Sequence, residues 1–176
     1  MTIHWMQTVS GKRFDLVHPD PDTIDIRDIA YALSKKCRFN GHPKVFLSVA
    51  EHSIWVSRLF SNDDRLALAG LLHDANEAYL PDVPSPVKNL LPDYHILEDR
   101  VQEAIERKFG LFLSNLDRKV IKWADNIMLV TEARDFMGNT EGWGLAEPPM
   151  PESLTLYLRL GMESFLRTAE LLGLVI

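Results

Sequence analysis

The sequence predicts an all-α protein, a single domain of about six helices. Three observations carry that expectation. Apolar residues recur at three- and four-residue spacing through most of the chain, the period of an amphipathic helix. Candidate caps and breakers bracket those stretches. No repeat and no second composition regime interrupts the 176 residues, a length that suits one domain with a real core. Residues 1–25 read as irregular, punctuated by Gly11 and the run His18-Pro19-Asp20-Pro21-Asp22, and 13–17 is compatible with a short strand or hairpin. The first helix is expected over 26–36, with apolar positions 26, 29, 30, 32 and 33 on one face. CRFNGHPK (37–44) is a connector broken by Gly41 and Pro43. Ser48 and Glu51 have capping-box spacing and open a helix that reaches about Phe60. Ser61-Asn62-Asp63-Asp64 ends that helix and caps the next, which runs to about Tyr79. Prolines at 81, 84 and 86 make 80–86 a stiff loop. One helix follows from about Pro92 to Phe109, stopped by Gly110, and another from about Asn115 to Ala133. MGNTEGWGLAEPPMP (137–151) is a Gly/Pro loop, and a last helix over about 152–172 stops at Gly173.

The composition, 46% apolar and 25% charged, excludes a disordered, collagen-like or low-complexity chain. Apolar runs such as LALAGLL (66–72) fall far short of the roughly 20 residues that span a bilayer, so no membrane partner is expected. The N-terminal MTIHWMQTVSGKRFDL lacks the apolar core of a signal peptide. The single cysteine, Cys37, leaves no internal disulfide, which suits a cytoplasmic protein. A net charge of −6 argues against a nucleic-acid polymer as partner, because that needs a basic face. It leaves room for a small phosphate-bearing ligand in a local pocket of Arg and Lys.

Four residues stand out as metal donors. His73 and Asp74 follow LAGLL, where a purely packing helix has no use for them, and Glu77 lies four residues after His73 on the same helical face. HDxxE alone is matched equally well by a helix turning its polar face to solvent. His52 lies inside SVAEHSIWVSRLF, and a lone helical histidine is more often structural than a ligand. Asp125 lies in VIKWADNIMLV, where burial would be costly unless it is paired or ligates a cation; taken alone it reads as an exposed aspartate. Together they make two imidazoles and two carboxylates from three helices, a set that suits one divalent first-row transition ion with water in its remaining positions. Arg38 and Lys88 in breaker-rich connectors, and Lys122 one turn before Asp125, are candidates for a phosphate clamp; each by itself is ordinary solvated charge.

In this order and spacing, His52, His73-Asp74 and Asp125 resemble the H…HD…D signature of the HD-domain metal phosphohydrolases. ALSKKCRF followed by Gly41-His42, SVAEHS, GLLHDANEAY and Asp82-x-Pro84-x-Pro86-x-Lys88 are similar to the small bacterial 5′-deoxynucleotidases of that family, and more so to short phage relatives, some of which strip phosphates from dATP. The resemblance covers roughly 13–130. It implies a single HD-domain helical bundle in which His52, His73, Asp74 and Asp125 hold one Co2+, Zn2+ or Mn2+ ion; di-metal relatives have extra histidines before the last aspartate, and only His95 lies there. It implies hydrolysis of deoxynucleotides, dATP or dAMP favoured, by metal-activated water. By the same resemblance Glu77 matches the residue that handles protons, Asp82 a second carboxylate at the mouth, and Arg38 an arginine that contacts phosphate or sugar. Lys88 and Lys122 fall at the positions where the phage relatives hold the phosphate chain. Phe39 walls the nucleoside where many relatives have Trp, keeping the stacking face and losing the indole donor. A cyclic-nucleotide or alarmone hydrolase and a non-catalytic nucleotide-binding module are the alternatives. The relatives are commonly homo-oligomers, and the apolar last stretch (Leu154, Leu156, Leu158, Leu160, Phe165, Leu166, Leu171, Leu172) is either a partner surface or core.

Overall fold

Gly11, at φ 84, closes a turn that lets β1 (Trp5–Gln7) pair antiparallel with β2 (Arg13–Asp15), the hairpin that 13–17 allowed. Phe14 is the buried member of β2 and stacks on Tyr79 at 3.8 Å with 16° between the rings. Asp28 ties the hairpin down by accepting from Ser10 N and Oγ at 2.9 and 2.7 Å. The hairpin thus supports the turn that ends at Tyr79, which carries site residues. Phe14→Ala is expected to cost roughly 3–5 kcal/mol, read from the urea midpoint. A loss below about 1 kcal/mol would make the hairpin an appendage rather than core.

The computed structural model describes residues 4–138, 140–144, 146–156 and 160–176, which form a mostly-α bundle. Its helices are α1 (Ile26–Leu33), α2 (Val49–Arg58), α3 (Asp64–Leu71), α4 (Ser85–Lys88), α5 (Pro92–Lys108), α6 (Asn115–Glu132) and α7 (Met162–Leu171). Their starts follow local chemistry. Asp25 and Asp63 accept from Arg27 N and Leu66 N as caps of α1 and α3. Ser48–Glu51 and Ser114–Asp117 form capping boxes on α2 and α6. Pro92 opens α5 at a position whose missing N–H is no loss.

Three expectations need correction. The stiff loop is shorter than 80–86, because Ser85 and Pro86 begin the one-turn α4. With that short helix there are seven among the described residues, in keeping with the expected bundle of about six. The helix after Asp63 stops at Leu71, not near Tyr79. The last helix begins only at Met162, after extended Gly161 (φ −96, ψ −156). Upstream, Asp135 accepts from Leu154 N at 2.7 Å and holds Leu154–Leu156 in a single 3-10 turn. Leu160 N donates to Glu51 Oε1, drawing the chain back to the start of α2. Leu158 lies outside the described residues. Phe165 is in the core, whereas Leu171 is 76% exposed.

α2 is the central element, buried from Val49 through Ser57. One apolar cluster (including Phe14, Ile29, Ile54, Leu71, Ile105 and Phe165) packs against one side of it. A second (Leu47, Trp55, Val56, Ala124, Met128, Phe136 and Leu154) packs against the other. Gly70 permits the close approach of α3, since a Cβ there would meet Ser57 Cα and the Phe60 ring at 3.3 Å.

Candidate metal centre

His52 lies at the middle of α2 with no exposure, so its polar atoms need protein partners. Its Nδ1 is 2.7 Å from Glu132 Oε1. An ionised carboxylate only accepts, so Nδ1–H donates and Nε2 is left facing inward. There it meets His73 Nε2 at 3.3 Å and Asp125 Oδ1 at 3.1 Å.

His73 and Asp74 stand beyond the end of α3, so the shared helical face expected for His73 and Glu77 does not exist. The cause is local. His73 Nδ1 donates to the Gly70 carbonyl at 2.7 Å, taking the acceptor that Asp74 N–H would use in a continuing helix. Leu72 (φ −105, ψ 6) and Asp74 (φ −105, ψ 19) adopt the bridge conformation instead. The chain resumes as a 3-10 turn over Ala75–Ala78, which carries Glu77. Gln102 of α5 splints this turn: its Nε2 donates to Leu72 O at 2.9 Å, and its Oε1 accepts from Asn76 N at 3.3 Å.

The result is convergent. His52, His73 and Asp74 each offer a ligand atom, and these atoms lie within 4.8 Å of one another, a group that could hold a metal ion. Asp74 Oδ2 is 3.2 Å from His73 Nε2. Asp125 borders the group, with Oδ1 3.1 and 3.8 Å from the two imidazoles. Both Nδ1 atoms are spent on fixed acceptors, so both Nε2 atoms face the group and can ligate a cation once they carry no proton. The electrostatics agree. Burial alone would lower His73, but Asp74 and Asp125 outweigh it and hold the imidazole well above its ordinary value. Burial would raise Asp125, yet the two imidazoles beside it, His52 first, hold it well below. Two carboxylates beside two imidazoles favour positive charge in this pocket, and a bound cation could supply it in place of the imidazole protons.

The structure places the other candidates around this group. Arg38 is buried in the Arg38–Gly41 turn; its Nε and Nη2 donate to Glu132 Oε2 at 3.2 and 3.0 Å, and Nη1 is 3.7 Å from Asp74 Oδ2. Phe39 and Asn40 follow in the left-handed region (φ 52 and 53), a strain of about 1–3 kcal/mol each that clusters at functional sites. The Phe39 ring lies 5.4 Å from Arg38 Cζ and 6.1 Å from the Trp143 ring. Glu77 is buried, and its Oε2 has no hydrogen-bond partner among the described residues. Burial, then the charges of Asp74 and Asp82, push its carboxyl well above the usual range. Asp82 is half-buried and raised chiefly by burial. Lys88 Nζ lies 2.6 Å from Glu98 Oε1 and 3.9 Å from Glu77 Oε1. Lys122 stays exposed, with Nζ 2.7 Å from Asp125 Oδ2. The three cations are thus each set against a carboxylate, rather than forming an open positive patch. A cavity of about 240 Å³ opens on His73, Asp74 and Asp125 and is walled by Gln102, Arg118 and Lys122.

Sequence reasoning missed Glu132, Gln102 and Glu98. Glu132 had a signal: it follows Asp125 by seven residues, two helical turns, and so shares its face. Gln102 and Glu98 are polar residues of an ordinary amphipathic helix, with nothing local to mark them.

The chain is 42% identical over 145 residues to the uncharacterized protein YfdR of Escherichia coli K12, a match covering 81% of this chain and 79% of that one. It is 36% identical over 170 residues to an uncharacterized protein of Rhodobacter capsulatus, covering 88% and 87% of the two chains. No protein-family model matches the chain.

Proposed function

This chain belongs to the family of the Escherichia coli protein YfdR, and we propose that it is a metal-dependent hydrolase that removes phosphate from deoxynucleotides, dATP or dAMP favoured. One observation carries the reading: two imidazole Nε2 atoms and Asp74 converge near Glu77, a buried carboxylate with an oxygen unpartnered among the described residues. The resemblance of His52, His73-Asp74 and Asp125 to the HD-domain phosphohydrolases supports it. So does the net charge of −6, which argues against a nucleic-acid polymer and leaves room for a small phosphate ligand.

A Co2+, Zn2+ or Mn2+ ion held by His52, His73, Asp74 and Asp125 would supply Lewis acidity and acidify a water toward neutral pH. Glu77 takes the proton of the attacking water on Oε2. As the new P–O bond forms, the bond to the nucleoside or phosphate leaving group breaks, and Asp82 at the mouth returns a proton to it. Arg38 neutralises charge growing on the phosphoryl oxygens. Lys88 and Lys122 receive the rest of the phosphate chain by exchanging Glu98 and Asp125 for it. Phe39 walls the nucleoside. No described helix is long and apolar enough to cross a membrane. The reading places a homo-oligomer in the cytoplasm.

The test is phosphate release from dNTPs, dNDPs, dNMPs and the matching ribonucleotides, with Co2+, Mn2+ or Zn2+ and with chelator. Chelator-sensitive turnover of dATP or dAMP is expected. Silence on every deoxynucleotide, from protein that holds metal, would overturn the reading in favour of a cyclic-nucleotide or alarmone substrate or a binding module. Within the active protein, Lys88→Ala is expected to raise KM for triphosphates about 10–100-fold, the worth of one charge-assisted hydrogen bond, and to spare monophosphates. Equal losses on both would remove Lys88 from the phosphate chain.

A further inference from the structure

Glu132 ends α6 with no solvent exposure, and its two oxygens have separate tasks. Oε1 accepts from His52 Nδ1 at 2.7 Å. Oε2 accepts from Arg38 Nε and Nη2 at 3.2 and 3.0 Å. A carboxylate kept this far from water persists only where donors and cations surround it, and here all of them come from site residues. α6 also presents Asp125 two turns earlier on the same face. The His52 ring is therefore gripped from both ends by carboxylates of one helix, Nδ1 on Glu132 and Nε2 beside Asp125 at 3.1 Å.

We infer that Glu132 is a positioning residue that assembles the two halves of the site: one oxygen sets the tautomer of His52 for metal ligation, and the other seats Arg38 beside Asp74. The inference rests on the metal centre of the proposed function and adds a residue to it. Its logic is the hydrogen-bond inventory. Arg38 offers only donors, and His52 must donate from Nδ1 if Nε2 is to ligate. A carboxylate satisfies both at once. The isosteric glutamine does not, because it has one accepting oxygen and one NH2. If the NH2 faces His52, Nδ1 becomes an acceptor, the proton moves to Nε2, and the ligand is lost. If it faces Arg38, two sets of donors collide and the guanidinium leaves its seat.

The experiment titrates metal-stripped full-length protein with Mn2+ by calorimetry and with Co2+ by visible absorption, for wild type and Glu132→Gln, with circular dichroism confirming the fold. Glu132→Gln is expected to bind Mn2+ about 10–100-fold more weakly, as loss of an outer-shell partner typically does, and to change the Co2+ spectrum. A folded variant with wild-type affinity and spectrum overturns the inference and leaves the proposed function standing. Wild type that binds neither ion overturns the metal centre, and the inference with it. Should the variant fail to fold, the histidine ¹⁵N spectrum of Zn2+-loaded wild type decides: His52 protonated at Nδ1 and ligated through Nε2 supports the inference, and ligation through Nδ1 overturns it.

Discussion

Asp74→Ala is expected to give a folded protein that holds little metal and releases phosphate at least about 10³-fold more slowly, since Lewis-acid stabilisation is worth several kcal/mol and each 1.36 kcal/mol is tenfold. Asp74 has a place in every part of the centre. Its Oδ2 lies 3.2 Å from His73 Nε2, 3.8 Å from His52 Nε2 and 3.7 Å from Arg38 Nη1. Its carboxyl stays far below the usual range although burial opposes this, because His73 charges and hydrogen-bonds it. It lies on a turn outside regular helix, so truncation removes a ligand atom without opening the core. Metal content by mass spectrometry, measured on the same preparation as activity, checks the expectation. Activity lost with metal fully retained would show that Asp74 is not a ligand.

Glu77→Gln separates chemistry from stability. Turnover is expected to fall about 10²–10⁴-fold, the range for losing a general base. Stability is expected to move the other way above acidic pH. The Glu77 carboxyl is raised above its ordinary 4.5 in the folded protein, by burial first and then by Asp74 and Asp82. Between the ordinary value and the raised one, the folded state keeps a proton that the unfolded chain has released. Stability therefore falls as pH rises through that window and stays lower above it. Glutamine carries no such charge, so the variant is expected to melt higher than wild type at pH 8 and to lose that advantage at pH 4. Unchanged turnover would remove Glu77 as the base. An equal difference in melting temperature at both pH values would mean that its carboxyl is not held in a destabilised state.

The folded chain shows which signals in the sequence were strong enough to read. Caps were legible because they are contacts over three residues: Ser48 with Glu51, Asp63 with Leu66, Pro92 at the start of α5. His52, His73 and Asp74 stood out as polar residues in apolar stretches, although His52 taken alone reads as structural, and the structure brings their ligand atoms within 4.8 Å of one another. The extent of α3 was not legible. LALAGLLHDANEAYL is helical by period throughout, yet His73 captures the Gly70 carbonyl and the helix ends. Periodicity counts apolar residues and takes no account of a side chain competing for a backbone acceptor. The length of α7 was misjudged for a related reason, since Leu154 and Leu160 are held by Asp135 and Glu51 outside any long helix.

By itself, the amino-acid sequence determined the helical class, the caps and the inventory of donors, because each depends on residues within a few positions of one another. Only the tertiary structure decided how those donors meet. Glu132 reaches His52 across 80 residues, and Gln102 reaches Leu72 across 30. Such contacts leave no period in the sequence. They arise when packing around the buried α2 brings α3, α5 and α6 together and leaves a histidine without water, so that its two nitrogens must find partners in the protein.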